Sequence, residues 1–283
     1  MDDVPVISFE YFCQFMRQFI AIDLRLLVIE ALKFSRKGHI GSAFSLIEIL
    51  RSLYDNVLNY DVKDPKNKAR DRLILSPGHG SLALYAILTD KGFIDLNDLR
   101  EFCSFEGILG GCIESNVNGI EATTGSLGHG LAIGTGMAIS SKIRNDQNHI
   151  FVIVGDGELG EGSNWESLLC INKHKLSNLT VIVDNNKVQC SGRTSELTNL
   201  SNLDKKFESF GFECLSIDGH NVDALNKAFK YSKNSLRNNV VICNTVMSYG
   251  VDFAEDSAEW HWKGKIDDVL LEKIQESILQ RIC

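Results

Sequence analysis

The feature that most constrains the fold is an alternation of short apolar runs with helical patterns through the second half of the chain. Runs rich in β-branched residues occupy residues 149–154, 179–183, 212–217 and 240–246. Amphipathic helical patterns lie between them, over residues 161–174, 203–210 and 222–236. This alternation predicts an α/β fold: a doubly wound, mostly parallel sheet with helices on both faces. In such sheets, ligands bind at the carboxyl ends of the strands.

The first half of the chain predicts helices and one further strand. Apolar residues recur at helical spacing over residues 11–37 and again over residues 44–58. We expect Ser42, in the Gly38–Ser42 segment between these patterns, to cap the second helix. A strand is predicted at residues 73–75, followed by a turn and a helix. The chain ends in a pattern typical of an amphipathic helix, with an apolar stripe of Leu271, Ile274, Ile278 and Ile282.

The composition excludes several kinds of protein and partner. The chain has 283 residues and a formal net charge of −8. A net acidic surface argues against nucleic acid or an anionic membrane as the main partner. With three prolines and no Ser/Gly-rich linker, the sequence predicts a single domain over residues 1–283 with an N-terminal helical segment.

The cysteines and the N-terminal residues predict a cytoplasmic protein. Eight cysteines lie at irregular spacing and none forms a C-x-x-C pair, which excludes the usual zinc and thioredoxin-like motifs. Isolated cysteines are typical of a reducing compartment. Met1-Asp2-Asp3 lacks the pattern of a signal peptide. The apolar run near Leu26 is interrupted by Arg25 and Glu30, so it is too short to span a membrane.

The loop after the strand at residues 149–154 carries the most informative motif. Gly155–Gly160 matches G-x-G-x-x-G between a strand and a helix, and Asp184 closes the next strand, as in a dinucleotide-binding unit. However, Asp156, Glu158 and Glu161 crowd carboxylates around a loop that would receive a pyrophosphate. A divalent cation would convert this repulsion into attraction, because it binds carboxylate and phosphate oxygens together.

Two neighbouring strands supply suitable metal ligands. Asp156 leaves one strand, and Asn186 follows the next strand thirty residues later. Adjacent parallel strands lie roughly 4.8 Å apart, so the two loops meet at one edge of the sheet. One carboxylate, one amide oxygen and one backbone carbonyl, completed by diphosphate oxygens, predict a magnesium site.

A Gly-Asp-Gly motif followed some thirty residues later by Asn is typical of thiamine diphosphate enzymes, and the other motifs resemble one family among them. In chain order these motifs are Gly38–Ser42, Asp71–Gly80, Thr123–Gly128, Gly155–Gly162 and Glu259–His261. Together they resemble a transketolase, specifically the half that binds the diphosphate. The resemblance covers about residues 11–265 and implies thiamine diphosphate and Mg²⁺ as cofactors, with Ca²⁺ or Mn²⁺ as possible substitutes for Mg²⁺.

The resemblance implies a role for each matching residue. Asp156, Asn186 and the Val188 carbonyl would ligate the metal. His79 and Gly157 would lie against the diphosphate, while Gly125, Ser126 and Leu127 would run along the cofactor. His39 and His261, together with His79, would be the catalytic histidines, and His39 and His261 would also bind the substrate's hydroxyls. Glu161 would link the cofactor sites of two subunits. The reaction would transfer a two-carbon ketol unit from a ketose or ketose phosphate to an aldose.

The sequence departs from the family's pattern at the wall that would face the sugar. Cys112 stands about where the family usually has a histidine that touches the donor's hydroxyls, and Met247–Gly250 replaces a Lys-Gly-Lys-Gly stretch. The donor and acceptor are therefore open. An alternative is a specialised carboligase or decarboxylase that acts on an unusual sugar or oxo acid.

Length is the second departure, because full-length transketolases are more than twice as long. The resemblance therefore implies that the pyrimidine-binding half, with the glutamate that activates the cofactor, lies on a separate C-terminal-type chain. We expect an α2β2 assembly that acts on small sugars. A nicotinamide oxidoreductase and a non-catalytic half that stabilises or regulates its partner are the competing hypotheses.

Overall fold

A parallel sheet lies at the centre of the structure, a computed structural model that describes residues 9–281, with side chains from residue 22 onward. The chain forms strands β1 (Arg72–Leu75), β2 (Ile150–Gly155), β3 (Leu179–Asn185), β4 (Val188–Gln189), β5 (Gly192–Arg193), β6 (Glu213–Asp218) and β7 (Asn239–Asn244). The main sheet has the order β1-β2-β3-β7-β6, and all its neighbouring strands are parallel. Strands β4 and β5 form a separate antiparallel hairpin directly after β3.

Helices cover both faces of this sheet. Those packed in the larger core are α1 (Phe9–Ser35), α2 (Ile40–Asn56), α3 (Ser81–Asp90), α9 (Val222–Asn234) and α10 (Asp268–Gln280), with the short α4 (Leu96–Arg100) beside them. The opposite face carries α5 (His129–Arg144), α6 (Gly162–His174) and α8 (Leu203–Ser209). The short α7 (Thr194–Leu197) follows the hairpin. The predicted α/β fold with helices on both faces is confirmed.

The apolar runs arise because each strand is covered on both sides. In β2, Phe151 and Ile153 belong to one core, whereas Val152 and Val154 belong to the other. Successive side chains of a strand point to opposite faces, so a strand buried on both faces is apolar at every position. All five strands of the main sheet were expected from such runs, and their bounds differ from the predicted ones by a few residues.

The beginning of α2 corrects one prediction. The helix starts at Ile40 with His39 at its N-cap, and no side chain makes a capping hydrogen bond there. Ser42 is buried inside the helix instead. The preceding Gly38 exchanges two backbone hydrogen bonds with Lys263, of 2.9 and 3.0 Å, and this pairing fixes where the chain enters the helix.

The C-terminal pattern forms α10, which buries Leu271, Ile274 and Ile278 as predicted. Ile282, the last residue of the predicted stripe, and the predicted domain's residues 1–8 and 283 lie outside the described residues. No helix in the described part of the chain has the length and apolar composition that a membrane crossing requires.

Candidate active site

The predicted metal ligands meet where β2 and β3 end. Gly155 pairs with Asp184 in the register of these strands, and the Asp156 N–H donates to the Asp184 carbonyl at 3.1 Å. The Asp156 carboxylate accepts from the Lys187 N–H at 2.9 Å. This bond draws the loop after β3 against the loop after β2, so Asp156 lies beside the Asn186–Val188 segment.

Asp156 is held in a buried, uncharged setting. Its carboxylate also accepts from the Gly157 N–H at 2.9 Å and from the Thr194 hydroxyl at 3.0 Å. Burial raises the pKa of Asp156 to about 7, and the neighbouring Asp184 carboxylate adds to the rise. A cation beside this carboxyl would stabilise its ionised form, which is the property expected of a metal ligand.

The amide of Asn186 is oriented by Asp184. The Asn186 Nδ2 donates to the Asp184 carboxylate at 3.0 Å, and this buried carboxylate also accepts from the hydroxyls of Ser45, at 2.7 Å, and Thr245. Because a carboxylate is only an acceptor when ionised, Nδ2 must face it, and Oδ1 then faces the loop. There Oδ1 accepts from the Val188 N–H at 3.1 Å.

This arrangement suits a hard divalent cation. One carboxylate, one amide oxygen and the Val188 segment lie in adjoining loops, and oxygen donors of this kind are those that Mg²⁺ prefers. In the part of the chain that the structure describes, no three His, Cys, Asp or Glu side chains are grouped as metal ligands. The set therefore fits an oxygen site with few protein ligands. The engagement of Asp184 with three side chains also removes the acid that a dinucleotide's ribose would need.

Three histidines from distant parts of the chain form the second group. His39 lies at the start of α2, His79 in the turn after β1, and His261 after a short 3-10 turn at Ala258–Trp260. Their ring centroids are 5.1 Å apart for His39 and His79, 5.2 Å for His79 and His261, and 5.5 Å for His39 and His261. The backbone pairing of Gly38 with Lys263 brings the first and third histidines together.

The three imidazoles are neutral at physiological pH. Burial lowers the pKa of His79 to about 3 and that of His39 to about 4, and neighbouring histidines contribute to both shifts. Burial also lowers the pKa of His261. The Nδ1 atom of His261 is buried and has no hydrogen-bond partner among the described residues. Neutral imidazoles both donate and accept, so this cluster suits hydroxyl binding and proton transfer.

The Thr124–Gly125 segment lies against the turn that carries His79. A Cβ atom on Gly78 would come within 2.5 Å of the Thr124 carbonyl group, so only glycine permits this approach. Gly125 has a φ of +134°, and a Cβ there would lie 2.9 Å from the Cys112 Sγ. Cys112 is exposed, and it is therefore a direct neighbour of the segment predicted to run along the cofactor.

The remaining predicted residues lie around these two groups. Ser126 is exposed and Leu127 is half-buried. Gly157 packs against Gln189, since a Cβ on this glycine would lie 2.8 Å from the Gln189 Cβ. Glu161 is exposed at the N-cap of α6, next to Gly128, where an added Cβ would lie 2.7 Å from the Glu161 Cβ.

Glu158 does not crowd the loop as the sequence predicts. Its side chain is 3% exposed and points inward, where it accepts hydrogen bonds from Ser76, Gly128 and Gly155. The backbone amides of Gly128 and Gly155 need acceptors in this buried place, and Glu158 provides them. Of the three predicted acids, Asp156 alone therefore lies at the metal loop.

Trp262 is a residue that the sequence reasoning missed. Its ring centroid lies 4.5 Å from that of His39, and 46% of the residue is exposed. The tryptophan thus forms the solvent-facing border of the histidine cluster. Its position directly after His261 was the available signal, but a tryptophan beside a histidine has no single structural meaning in a sequence.

Comparison with known proteins identifies the family. The model described as "Transketolase, thiamine diphosphate binding domain" matches residues 16–274. A subunit of the apulose-4-phosphate transketolase of Actinobacillus succinogenes is 39% identical over 243 residues, which are 84% of this chain and 88% of that protein. The 6-deoxy-6-sulfo-D-fructose transketolase subunit SqwG of a Clostridium strain is 35% identical, over 84% of this chain and 87% of its own length.

Full-length transketolases match over a smaller part of their own length. The crystal structure of transketolase from Campylobacter jejuni superposes with a TM-score of 0.85 and 31% identity, over 93% of this chain and 42% of that chain. Human transketolase is 32% identical over 92% of this chain and 41% of its own length. The chain thus spans about two fifths of these proteins. The predicted relationship to a transketolase-type transferase is confirmed. The chain belongs to the transketolase family and carries its thiamine diphosphate-binding domain.

Proposed function

We propose that this chain is the cofactor-binding subunit of a split transketolase, which transfers a two-carbon ketol unit from a ketose phosphate to an aldehyde acceptor. The observation that carries the proposal is the meeting of two groups at one edge of the sheet. Asp156 and Asn186 form an oxygen-rich loop pair, and three neutral histidines surround a common space near it. Relatives of nearly the same length that are named as transketolase subunits support it.

Mg²⁺ would be held by Asp156, the Oδ1 of Asn186 and the Val188 carbonyl, and Ca²⁺ or Mn²⁺ would bind the same oxygens. The buried Asp156 carboxylate would supply the negative charge that holds the cation beside a diphosphate. The Asp184 carboxylate would keep the Asn186 oxygen directed at the metal.

The cofactor would be bound by loops from all three strands. His79 and Gly157 would contact the diphosphate, and Gly125, Ser126 and Leu127 would lie along the rest of the molecule. When bound, thiamine diphosphate supplies a nucleophilic carbon and an electron sink for the two-carbon unit. The glycine backbone at residue 125 leaves room for a close approach, since it carries no side chain.

The histidines would bind and orient the sugar. Each neutral ring of His39 and His261 offers one N–H donor and one lone pair, so each can hold a substrate hydroxyl and move its proton. The buried, unpaired Nδ1 of His261 is the atom best suited to this, because a buried nitrogen without a partner gains most from a ligand. Trp262 would shield the cluster from water on its open side.

Residues 1–283 would form one diphosphate-binding domain, and a C-terminal-type partner chain would supply the pyrimidine-binding half in an α2β2 assembly. The exposed Glu161, beside the end of the cofactor segment, would face the second subunit. A reducing, cytoplasmic setting agrees with the free cysteines of the described residues, among which Cys243 is buried.

Reconstitution tests this proposal directly. We expect neither chain alone to transfer a two-carbon unit, and the mixture of this chain with its C-terminal-type partner to do so with thiamine diphosphate and Mg²⁺. The measurement is product formation from a panel of ketose phosphates and aldehydes. Turnover by this chain alone contradicts the split assembly, and decarboxylation of an oxo acid without ketol transfer favours the carboligase or decarboxylase alternative.

A further inference from the structure

A single buried carboxylate connects three loops at the candidate site. The Glu158 Oε1 accepts from the Ser76 hydroxyl at 2.5 Å and from the Gly128 N–H at 2.7 Å, while Oε2 accepts from the Gly155 N–H at 3.2 Å. Only 3% of the residue is exposed. These three donors lie after β1, before α5 and at the end of β2, so they are distant from one another in the chain.

Each of these loops carries residues proposed to hold the cofactor. Ser76 precedes the turn with His79, Gly128 ends the segment that begins at Gly125, and Gly155 directly precedes Asp156. Glu158 itself lies two residues after Asp156, in a short 3-10 turn. The relative position of the three loops therefore depends on bonds to one side chain.

The surroundings fix the direction of these hydrogen bonds. The Ser76 Oγ accepts from the Gly130 N–H at 3.1 Å, so its own proton goes to Glu158. The Nδ2 of Asn164 donates to the Glu158 carbonyl at 2.7 Å, which ties the carboxylate's backbone to α6. Gly128 has a φ of +84°, a conformation that favours glycine, and this places its N–H toward the carboxylate.

We propose that Glu158 is a positioning residue that sets the affinity for thiamine diphosphate without touching it. The proposal rests on the proposed function, because it concerns how the same loops hold that cofactor. An ionised carboxylate offers acceptors on both oxygens, whereas a glutamine turns an NH₂ group toward one of the donors. Replacement thus leaves at least one buried donor unpaired and releases one loop from the other two.

The test compares Glu158→Gln and Ser76→Ala with a control at the opposite end of the sheet. Asp71 is also a buried carboxylate that accepts from two backbone amides, those of Asn59 at 2.7 Å and His149 at 2.8 Å. Asp71→Asn therefore removes similar bonds far from the proposed cofactor loops. Each variant is assembled with the partner chain, and thiamine diphosphate is titrated in at saturating Mg²⁺ by calorimetry, well below the unfolding temperature.

We expect Glu158→Gln to weaken cofactor binding about 10-fold, since one misdirected buried hydrogen bond changes an affinity by that order. Ser76→Ala should weaken it less, and the double variant should lose less than the sum, because the two side chains share one bond. Asp71→Asn should lower the unfolding temperature at least as much as Glu158→Gln and leave the cofactor Kd within about twofold.

The outcomes separate this proposal from the proposed function. If the wild-type assembly binds the cofactor and Glu158→Gln binds it equally well, or if Asp71→Asn weakens binding to the same degree, Glu158 has only a structural role and the proposal is overturned. If the wild-type assembly itself shows no Mg²⁺-dependent binding, the proposed function is wrong. Should Glu158→Gln fail to fold, Ser76→Ala decides between these results by the same titration.

Discussion

The metal loops and the histidine cluster lie at the same edge of the sheet but are built in opposite ways. Around Asp156 and Asn186, the polar atoms bond to one another, and the contacts follow from the register of two adjacent strands. The histidines come from three distant segments, and the His261 Nδ1 has no partner among the described residues. One region is preorganised by its own hydrogen bonds, whereas the other keeps hydrogen-bonding capacity for a ligand.

The two regions also differ in how burial affects their charge. Burial raises the pKa of Asp156 to about 7, and it lowers the pKa of His39 to about 4 and that of His79 to about 3. In both regions the neutral form is favoured. Only the metal region has a reason to change its charge when a ligand arrives, because a dication stabilises the carboxylate.

The largest expected effect is at the metal loops. Asp156→Ala should weaken Mg²⁺-dependent cofactor binding by at least about 100-fold, because even residues behind a ligand contribute about 10- to 100-fold. The measurement is a calorimetric titration of thiamine diphosphate into the assembled enzyme. The matched control is Asp218→Ala, which removes an exposed carboxylate at the end of β6 and should leave the affinity unchanged. Equal affinities in the wild type and the Asp156 variant would remove Asp156 from the site.

The histidine cluster should show the opposite separation. His261→Ala should lower kcat/KM for the donor by about 100-fold, within the range of general acid–base and hydrogen-bonding contributions, with little change in Mg²⁺ affinity. His174→Ala, an exposed histidine at the end of α6, is the control and should have no effect. A His261 variant that loses metal affinity and activity together would contradict the division into two regions.

Cys112 sharpens the comparison on the substrate side. A thiol is a much weaker hydrogen-bond donor than an imidazole, and a lost bond to a buried hydroxyl changes discrimination by roughly 5- to 150-fold. We expect ordinary ketose phosphates to be poor donors for the wild type and better donors for Cys112→His. The exposure of Cys112 leaves room for the larger ring. Comparable kcat/KM values in the two proteins would show that the cysteine is a neutral replacement.

The smallest effect is a shift in pH dependence. Asp156 must lose its proton to bind a cation, so Mg²⁺-dependent cofactor affinity should increase as the pH rises through about 7. The hydrogen bond from Thr194 lowers the pKa of Asp156, so Thr194→Val should move this midpoint to higher pH. Titration of the diphosphate itself is common to both proteins and cancels in the comparison. An unchanged midpoint would separate Asp156 from the pH dependence.

The histidines give a stability change of opposite sign. His39 and His79 have folded-state pKa values of about 4 and 3 against an ordinary value of 6.5, so the unfolded chain binds more protons between these values. The free energy of unfolding should therefore decrease as the pH falls from 6.5 toward 4. His149, whose pKa burial also lowers to about 4, acts in the same window, so the slope in a His79→Asn variant should be smaller but not zero.

The sequence predicts the metal region better than the histidine region for a physical reason. Asp156 and Asn186 follow two strands whose apolar patterns are local, and strand pairing alone brings their loops together. The histidine cluster depends on the pairing of Gly38 with Lys263, over two hundred residues apart, which no local pattern encodes. The motifs shared with transketolases named those histidines.

Two errors have a similar origin. The inward direction of Glu158 depends on the unpaired backbone amides of two other loops, and these exist only once the chain is folded. The start of α2 is set by tertiary pairing of the preceding residue, which overrides the capping preference of Ser42. Helix α5 had no amphipathic signal because its glycines pack closely, with an added Cβ on Gly134 only 2.4 Å from Val152.

The most direct test of the central claim is the binding of thiamine diphosphate to the assembled enzyme with and without Mg²⁺. If the two regions form the cofactor half of a split transketolase, calorimetry should show saturable binding with Mg²⁺ and a large loss of affinity when the metal is removed by a chelator. Metal-independent binding of the same affinity, or no binding in the presence of the partner chain and Mg²⁺, would contradict the account.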